Sequence, residues 1–97
     1  MKEKNNKTVY VSLIADLLHA GHINILKEAS KHGKVIVGLL TSKAVTELND
    51  HAYLTYDQRE DVLMNLKMVE KVIEQNQASY KDNLLNLKPN YVVHGND

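Results

Sequence analysis

Cysteine, tryptophan and phenylalanine are absent from this 97-residue chain; proline and arginine each occur once and glycine four times. Without cysteine there are no disulfides and no thiolate metal sites, a composition that fits a reducing cytoplasm. No apolar run approaches the ~20 residues of a membrane span. The opening Met1–Lys7 is polar and lacks the apolar segment of a secretory signal, so it is expected to be a solvated tail. Charge of one sign is missing too: twelve basic and twelve acidic residues cancel and are scattered, leaving no basic stripe for nucleic acid. The aromatics are five tyrosines, spread too thinly for a stacking platform. With Arg59 the lone arginine, forked recognition of a phosphate or carboxylate within this chain rests on it. The length suits one small domain, which buries roughly 60–70% of its unfolded surface. There is no internal repeat, low-complexity tract or linker.

What is present alternates between two periodicities. Thr8–Ile14 is rich in β-branched residues and reads as a strand. From His22 to Lys31, Ile25, Leu26 and Ala29 recur at helical spacing, and Gly33 stands where helices end. Lys34–Leu40 is a near-continuous apolar run, as in a strand buried on both faces of a parallel sheet. Thr41–Leu54 is irregular, with a turn at Asn49-Asp50. Thr55 and Gln58 form a capping box for a helix over Tyr56–Lys67 that would bury Val62, Leu63 and Leu66. Met68–Glu74 reads as a short strand. A helix begins near Ser79 and Asp82, with Tyr80, Leu84 and Leu87 on one face, and Pro89 closes it. Tyr91–His94 is a fourth strand. Strands alternating with helices imply right-handed crossovers in a Rossmann-like α/β fold, an open parallel sheet with helices on both faces. Ligands in such sheets sit beyond the carboxyl ends of the strands, where residues 15–22, 41–50 and 94–97 fall.

The first of these segments carries the chemistry. His19 and His22 flank Ala20-Gly21 at a strand-to-helix junction. Gly21 permits a sharp turn and close approach of a ligand. The helix start offers unpaired N–H groups and a positive dipole end, which favour a phosphate. Two imidazoles beside it can donate hydrogen bonds to phosphate oxygens as charge develops in nucleotidyl transfer. Three readings stay open at this level: a helix cap or surface pair, half of a metal site with no further ligand cluster evident, and a phosphate site. Arg59, beside Asp57 and Glu60, suits either an ion pair or a substrate contact. His94 suits strand-end packing or a pocket wall; His32 and His51 read as surface.

Asp16-Leu17-Leu18-His19-Ala20-Gly21-His22 resembles the His-x-Gly-His signature of the nucleotidyltransferase superfamily, and within it the cytidylyltransferases of glycerol phosphate, choline phosphate and ethanolamine phosphate. Three further segments resemble that family in order and spacing: Ala52-Tyr53-Leu54-Thr55-Tyr56-Asp57-Gln58-Arg59 its Tyr-x-x-Arg stretch, Lys67-Met68-Val69-Glu70-Lys71-Val72-Ile73 its Arg-Tyr-Val-Asp-Glu-Val segment, and Tyr91-Val92-Val93-His94-Gly95-Asn96-Asp97 its Gly-Asp-Asp strand end. The subgroup most similar is the cytidylyltransferase-like domain attached to phosphoenolpyruvate phosphomutases, through Ser12–His22 and Gly38-Leu39-Leu40-Thr41.

The resemblance implies transfer of a cytidylyl group from CTP to a phosphate or phosphonate such as 2-aminoethylphosphonate, with release of pyrophosphate. It implies that His19 and His22 are catalytic, that Asp16, Gly21, His94, Gly95, Asn96 and Asp97 bind nucleotide, and that Thr41, Lys43 and Arg59 bind the acceptor. Mg²⁺ would accompany the nucleotide, and the segment from Lys67 to Ile73 would lie near a homodimer contact. Alternatives are adenylyl transfer to a small phosphorylated acceptor and nucleotide binding without catalysis. The chain departs from the family in four places, one of them Lys67, a point charge where the family's segment begins with a forked arginine. Leu13-Ile14-Ala15-Asp16 replaces Gly-Thr-Phe-Asp. The region aligned with the family's acceptor lysine reads Glu47-Leu48-Asn49-Asp50-His51, so Lys43 or another residue must serve. The last family motif, Arg followed by Ile-Ser-(Ser/Thr)-Thr, does not occur before Asp97, so residues 8–97 are expected to be a C-terminally incomplete domain.

Overall fold

The computed structural model describes residues 7–94. The expected tail, apart from Lys7, and the nucleotide-binding residues expected at Gly95, Asn96 and Asp97 lie outside the described residues. The elements run β1 (Thr8–Leu13), α1 (Ala20–Ser30), β2 (Lys34–Leu40), α2 (Ser42–Glu47), α3 (Tyr56–Met64), β3 (Val69–Gln75), α4 (Lys81–Leu87) and β4 (Tyr91–His94). The four strands are parallel and ordered β3-β2-β1-β4. The apolar runs fall at the centre: β1 and β2 pair from Thr8↔Lys34 to Leu13↔Leu39. The chain crosses from one half of the sheet to the other between β3 and β4, which brings the carboxyl end of β1 to the topological switch point.

Side chains alternate across the sheet, so each strand feeds two layers. Val9, Val11 and Leu13 of β1 with Val35, Val37 and Leu39 of β2 pack with Leu26 and Ala29 of α1 and Leu63 of α3. On the other face Ile14 and Leu40 pack with Ala44 and Val45 of α2. Tyr10 points to that second face, where its hydroxyl donates to Gln75 Oε1 at 2.7 Å and accepts from Asn83 Nδ2 of α4 at 2.9 Å. Burial raises the Tyr10 phenol above its ordinary pKa, in keeping with a neutral hydroxyl inside this network. Gly38 makes the arrangement possible, because a Cβ there would overlap the Tyr10 hydroxyl. Helices thus cover both faces.

Several boundaries differ from expectation. The stretch after β2 contains a short helix, α2, capped by Thr41 Oγ1 accepting from Ala44 N–H at 3.3 Å. Six residues give too few turns for a periodic signal, and the apolar pair Ala44-Val45 is its only sequence trace. Helix α3 ends at Met64, and Val62 is 45% exposed whereas Leu63 is fully buried. Gly33 does not provide a left-handed helix end, since Lys31 is the C-cap in right-handed geometry and no glycine among the described residues has positive φ. It allows instead close approach to the Lys7 carbonyl, which accepts from Lys34 N–H at 2.9 Å. The left-handed residue before Pro89 is Lys88, with φ 51°.

Candidate functional site

The site forms where β1 runs out. Ala15 sits buried in left-handed geometry, φ 54°, unusual for a residue with a Cβ. This turn takes the chain off the sheet and presents Asp16. Four residues later helix α1 begins, capped by a histidine rather than the usual Ser, Thr, Asp or Asn. His19 Nδ1 accepts from Gly21 N–H at 2.9 Å, and His22 Nδ1 accepts from His19 N–H at 3.2 Å, a reciprocal capping box built from two imidazoles. Because each Nδ1 accepts from a backbone donor, each neutral ring carries its hydrogen on Nε2. The cap therefore makes both rings Nε2–H donors at the positive end of an 11-residue helix. Their centroids are 4.1 Å apart; His22 is buried and His19 exposed. Gly21 has helical rather than left-handed geometry, so the sharp turn expected of it is absent. Its missing Cβ leaves room for the His19 ring, whose Cε1 would stand 2.7 Å from one.

The opposite wall comes from the segment between α2 and α3, which is tied down from below. Asp16 Oδ2 accepts from Tyr53 N–H and Oδ1 from Leu54 N–H, both at 2.9 Å. These N–H groups, Tyr53 foremost, hold the Asp16 carboxyl below the ordinary carboxylate value, with the positive charge of Arg59 adding to the effect. Arg59 in turn donates through Nε to Leu54 O at 3.3 Å and through Nη1 to Ile14 O at 2.9 Å and Leu40 O at 2.7 Å. One guanidinium thus joins the carboxyl ends of β1 and β2 to the wall.

Between the walls lies a cleft of about 340 Å³, within the range of small-molecule sites. Asp16, His19 and His22 line it from one side, with Ile14 and Leu17. Asp50, His51 and Tyr53 line it from the other. The His51 and Tyr53 rings meet edge to face, 5.4 Å apart at 88°. Tyr53 is 79% exposed and Leu17 65%, so both stand at the mouth.

The residues expected from the sequence divide accordingly. Asp16, His19 and His22 are brought together. Thr41, expected at the acceptor, spends its hydroxyl capping α2, and neither it nor the exposed Lys43 reaches the cleft. Arg59 is fully buried, with Nε and Nη1 donating to carbonyl oxygens. From that position Nε and Nη1 tie the carboxyl ends of β1 and β2 to the wall. His94 pairs with Ser12 through its backbone at the end of β4. Asp50, His51 and Tyr53 were not expected at the site. The only hint was their place after the second strand, because what brings them in is the clamp by Asp16, 37 and 38 positions away from its partners. Among the described residues no group of three or more His, Asp or Glu side chains is arranged to hold a metal ion, and no helix is long and apolar enough to cross a membrane.

A family model described as cytidylyltransferase-like matches residues 14–97. The bifunctional protein HldE of Pseudomonas fluorescens (strain Pf0-1) is 31% identical over 96 residues, 96% of this chain and 20% of that protein. The FAD synthase of Methanopyrus kandleri is 30% identical over 95 residues, 94% of this chain and 63% of that protein. The FAD synthase of Archaeoglobus fulgidus is 28% identical over 82 residues, 84% of this chain and 60% of that protein. The chain thus spans less than two thirds of each relative's length. Among solved structures, the lipopolysaccharide core biosynthesis protein from Thermoplasma volcanium GSS1 superposes with a TM-score of 0.83 at 23% identity, covering 89% of this chain and 71% of the other. At that identity the likeness speaks for the fold: a parallel Rossmann-like sheet with helices.

Proposed function

The chain belongs to the cytidylyltransferase-like family, of nucleotidyltransferase type, and on that premise we propose that it moves a cytidylyl group from CTP to an oxygen of a small phosphate or phosphonate acceptor. The observation that carries this reading is the imidazole capping box: His19 and His22, each spending Nδ1 on the cap, beside a helix N-terminus at one wall of a cleft beyond the strand ends. An acceptor oxygen attacks the α-phosphorus, the new O–P bond forms, and the bond to the β-phosphate oxygen breaks with its electron pair leaving on pyrophosphate. A phosphate or phosphonate oxygen is already deprotonated, so the step needs no general base. It needs donors for the charge spread over the α-phosphoryl oxygens, and His19 and His22 have that role.

Mg²⁺ is proposed to arrive on the triphosphate as part of the substrate. Both Asp16 oxygens accept backbone N–H groups, so this carboxylate serves the fold of the wall first. The proposed setting is the cytoplasm. A homodimer is proposed through the segment from Lys67 to Ile73, most of which lies in the edge strand β3; a sedimentation run giving only monomer at high concentration would refute that.

A second reading is adenylyl transfer, favoured by the relatives named FAD synthase, since FAD is an adenine dinucleotide. The test is to incubate the protein and Mg²⁺ with CTP or ATP, each with 2-aminoethylphosphonate or inorganic phosphate, and to measure pyrophosphate release. Release with CTP supports the first reading and release with ATP the second. Binding of either nucleotide in a calorimeter without release would make the chain a binding module.

A further inference from the structure

We propose that the amino end of the sheet, opposite the cleft, is a docking surface for single-stranded nucleic acid, with a line of lysines for the phosphates and the Tyr91 ring for a base. The basic residues are scattered in the sequence, but the parallel topology gathers four of them. Lys7 directly precedes β1, Lys34 opens β2, Lys67 lies two residues before β3 and Lys88 three before β4. All four are exposed. Parallel strands start at the same end and neighbours stand about 4.8 Å apart, so the four starts span about 15 Å. The backbone holds that line: Lys34 N–H donates to the Lys7 carbonyl at 2.9 Å, Asn90 N–H to the Thr8 carbonyl at 3.0 Å, and Val69 lies opposite Val35.

Charge separates along the strands. At the carboxyl end Asp16 and Asp50 line the cleft, and Asp57 and Asp82 stand in the first turns of α3 and α4. At the amino end Glu28 is engaged with Lys31 at 3.3 Å, while Asp61 and Glu70 lie inside α3 and β3. A polyanion is therefore drawn to the amino end, about 20 Å from the cleft along β1. Tyr91, the first residue of β4, stands 41% exposed at one end of the line. Lys7 Nζ is 6.0 Å from its ring centroid, and the His32 ring is 5.2 Å away, tilted by 47°. Cations that follow a backbone beside an aromatic ring suit an unpaired strand, and because every base has a π-face the recognition is tolerant of sequence. Stacking on Tyr91 is what separates this partner from an acidic protein or an anionic membrane, for which the lysines alone would serve.

The test is fluorescence anisotropy with a labelled oligouridylate of about 12 nucleotides, between about 50 and 200 mM salt. The expected result is binding that falls with a log–log slope of about −3, four phosphates at about −0.7 each. Replacing Lys7 and Lys34 together by glutamine makes the slope shallower by about 1.4, and Lys81→Gln, at the carboxyl end, changes nothing. Tyr91→Ala weakens binding about five- to hundredfold with the slope unchanged, and Tyr91→Phe restores it. Should Tyr91→Ala lower the urea midpoint, the double lysine variant, made on exposed side chains, still decides the question. The proposal is overturned if the wild-type chain does not bind the oligonucleotide at the lowest salt, or if Lys81→Gln weakens binding as much as the lysine pair does. It is also overturned if a folded Tyr91→Ala binds as wild type, or if polyglutamate or phosphatidylserine vesicles bind the lysines and the oligonucleotide cannot displace them; the partner is then an acidic protein or a membrane.

Discussion

Asp16 and Leu54, 38 positions apart, are joined by a 2.9 Å hydrogen bond from the Leu54 N–H to Asp16 Oδ1, while the Leu54 carbonyl accepts from Arg59 Nε at 3.3 Å. Leu54 is thus held from both sides of its backbone. The wall carrying His51 and Tyr53 is thereby fixed to the ends of β1 and β2.

Replacing Asp16 by asparagine should loosen that wall in a pH-dependent way. The folded carboxyl titrates below the ordinary aspartate value of 3.8, so its stabilisation is fully present above that value and is lost as pH falls through the folded one. The wild-type chain should be the more stable at pH 7, and the gap to Asp16→Asn should shrink below pH ~4. Urea titrations at a series of pH values measure this, and a gap that does not vary with pH refutes the clamp.

Arg59→Lys should destabilise the fold by about 2–4 kcal/mol. An ammonium on a flexible stem cannot reproduce the fork that serves Leu54, Ile14 and Leu40, and it remains a buried charge. The urea midpoint should fall with little change in slope. A substrate-binding Arg59 would instead change KM and leave the midpoint alone.

His19 has two roles that one substitution can separate. His19→Ala should lose the cap, about 1 kcal/mol, and also about 10²–10³ in turnover. His19→Asn supplies a good N-cap and no imidazole, so it should keep stability within about 0.5 kcal/mol of wild type while turnover stays low. Full turnover in His19→Asn would reduce this histidine to a helix cap.

Gly38→Ala should cost about 1–3 kcal/mol, because the new methyl meets the Tyr10 hydroxyl and disturbs its bond to Gln75. Each kcal/mol lowers the thermal midpoint of a domain this size by about 4–8 °C, so a calorimetric scan resolves the loss. An unchanged midpoint would mean that Tyr10 moves aside freely.

Much of the fold was legible because its signals are short-range. The β-branched run of β1, the apolar run of β2 and the Thr55–Gln58 capping box each lie within a few residues of the structure they specify. Helix α2 was missed for the same reason inverted: a single turn and a half leaves no period to detect. Val62 and Leu63 share a helix and both are apolar, yet only Leu63 meets the sheet, which sequence spacing alone does not decide.

The site divides along the same line. By itself the sequence determined the histidine pair and its helix start, because a cap is closed by residues two and three positions apart. It pointed to the carboxyl ends of the strands, because strand–helix alternation implies parallel strands whose carboxyl ends lie on one side of the sheet. Only the tertiary structure decided that Arg59 is a buried tie, that Asp16 spends its carboxylate on a distant loop, and that His51 rather than Lys43 faces the cleft. Those outcomes depend on bonds spanning 19 to 45 positions, formed once the sheet has brought its strand ends together. Side-chain chemistry is written locally, but the partner that claims each polar group is chosen by packing.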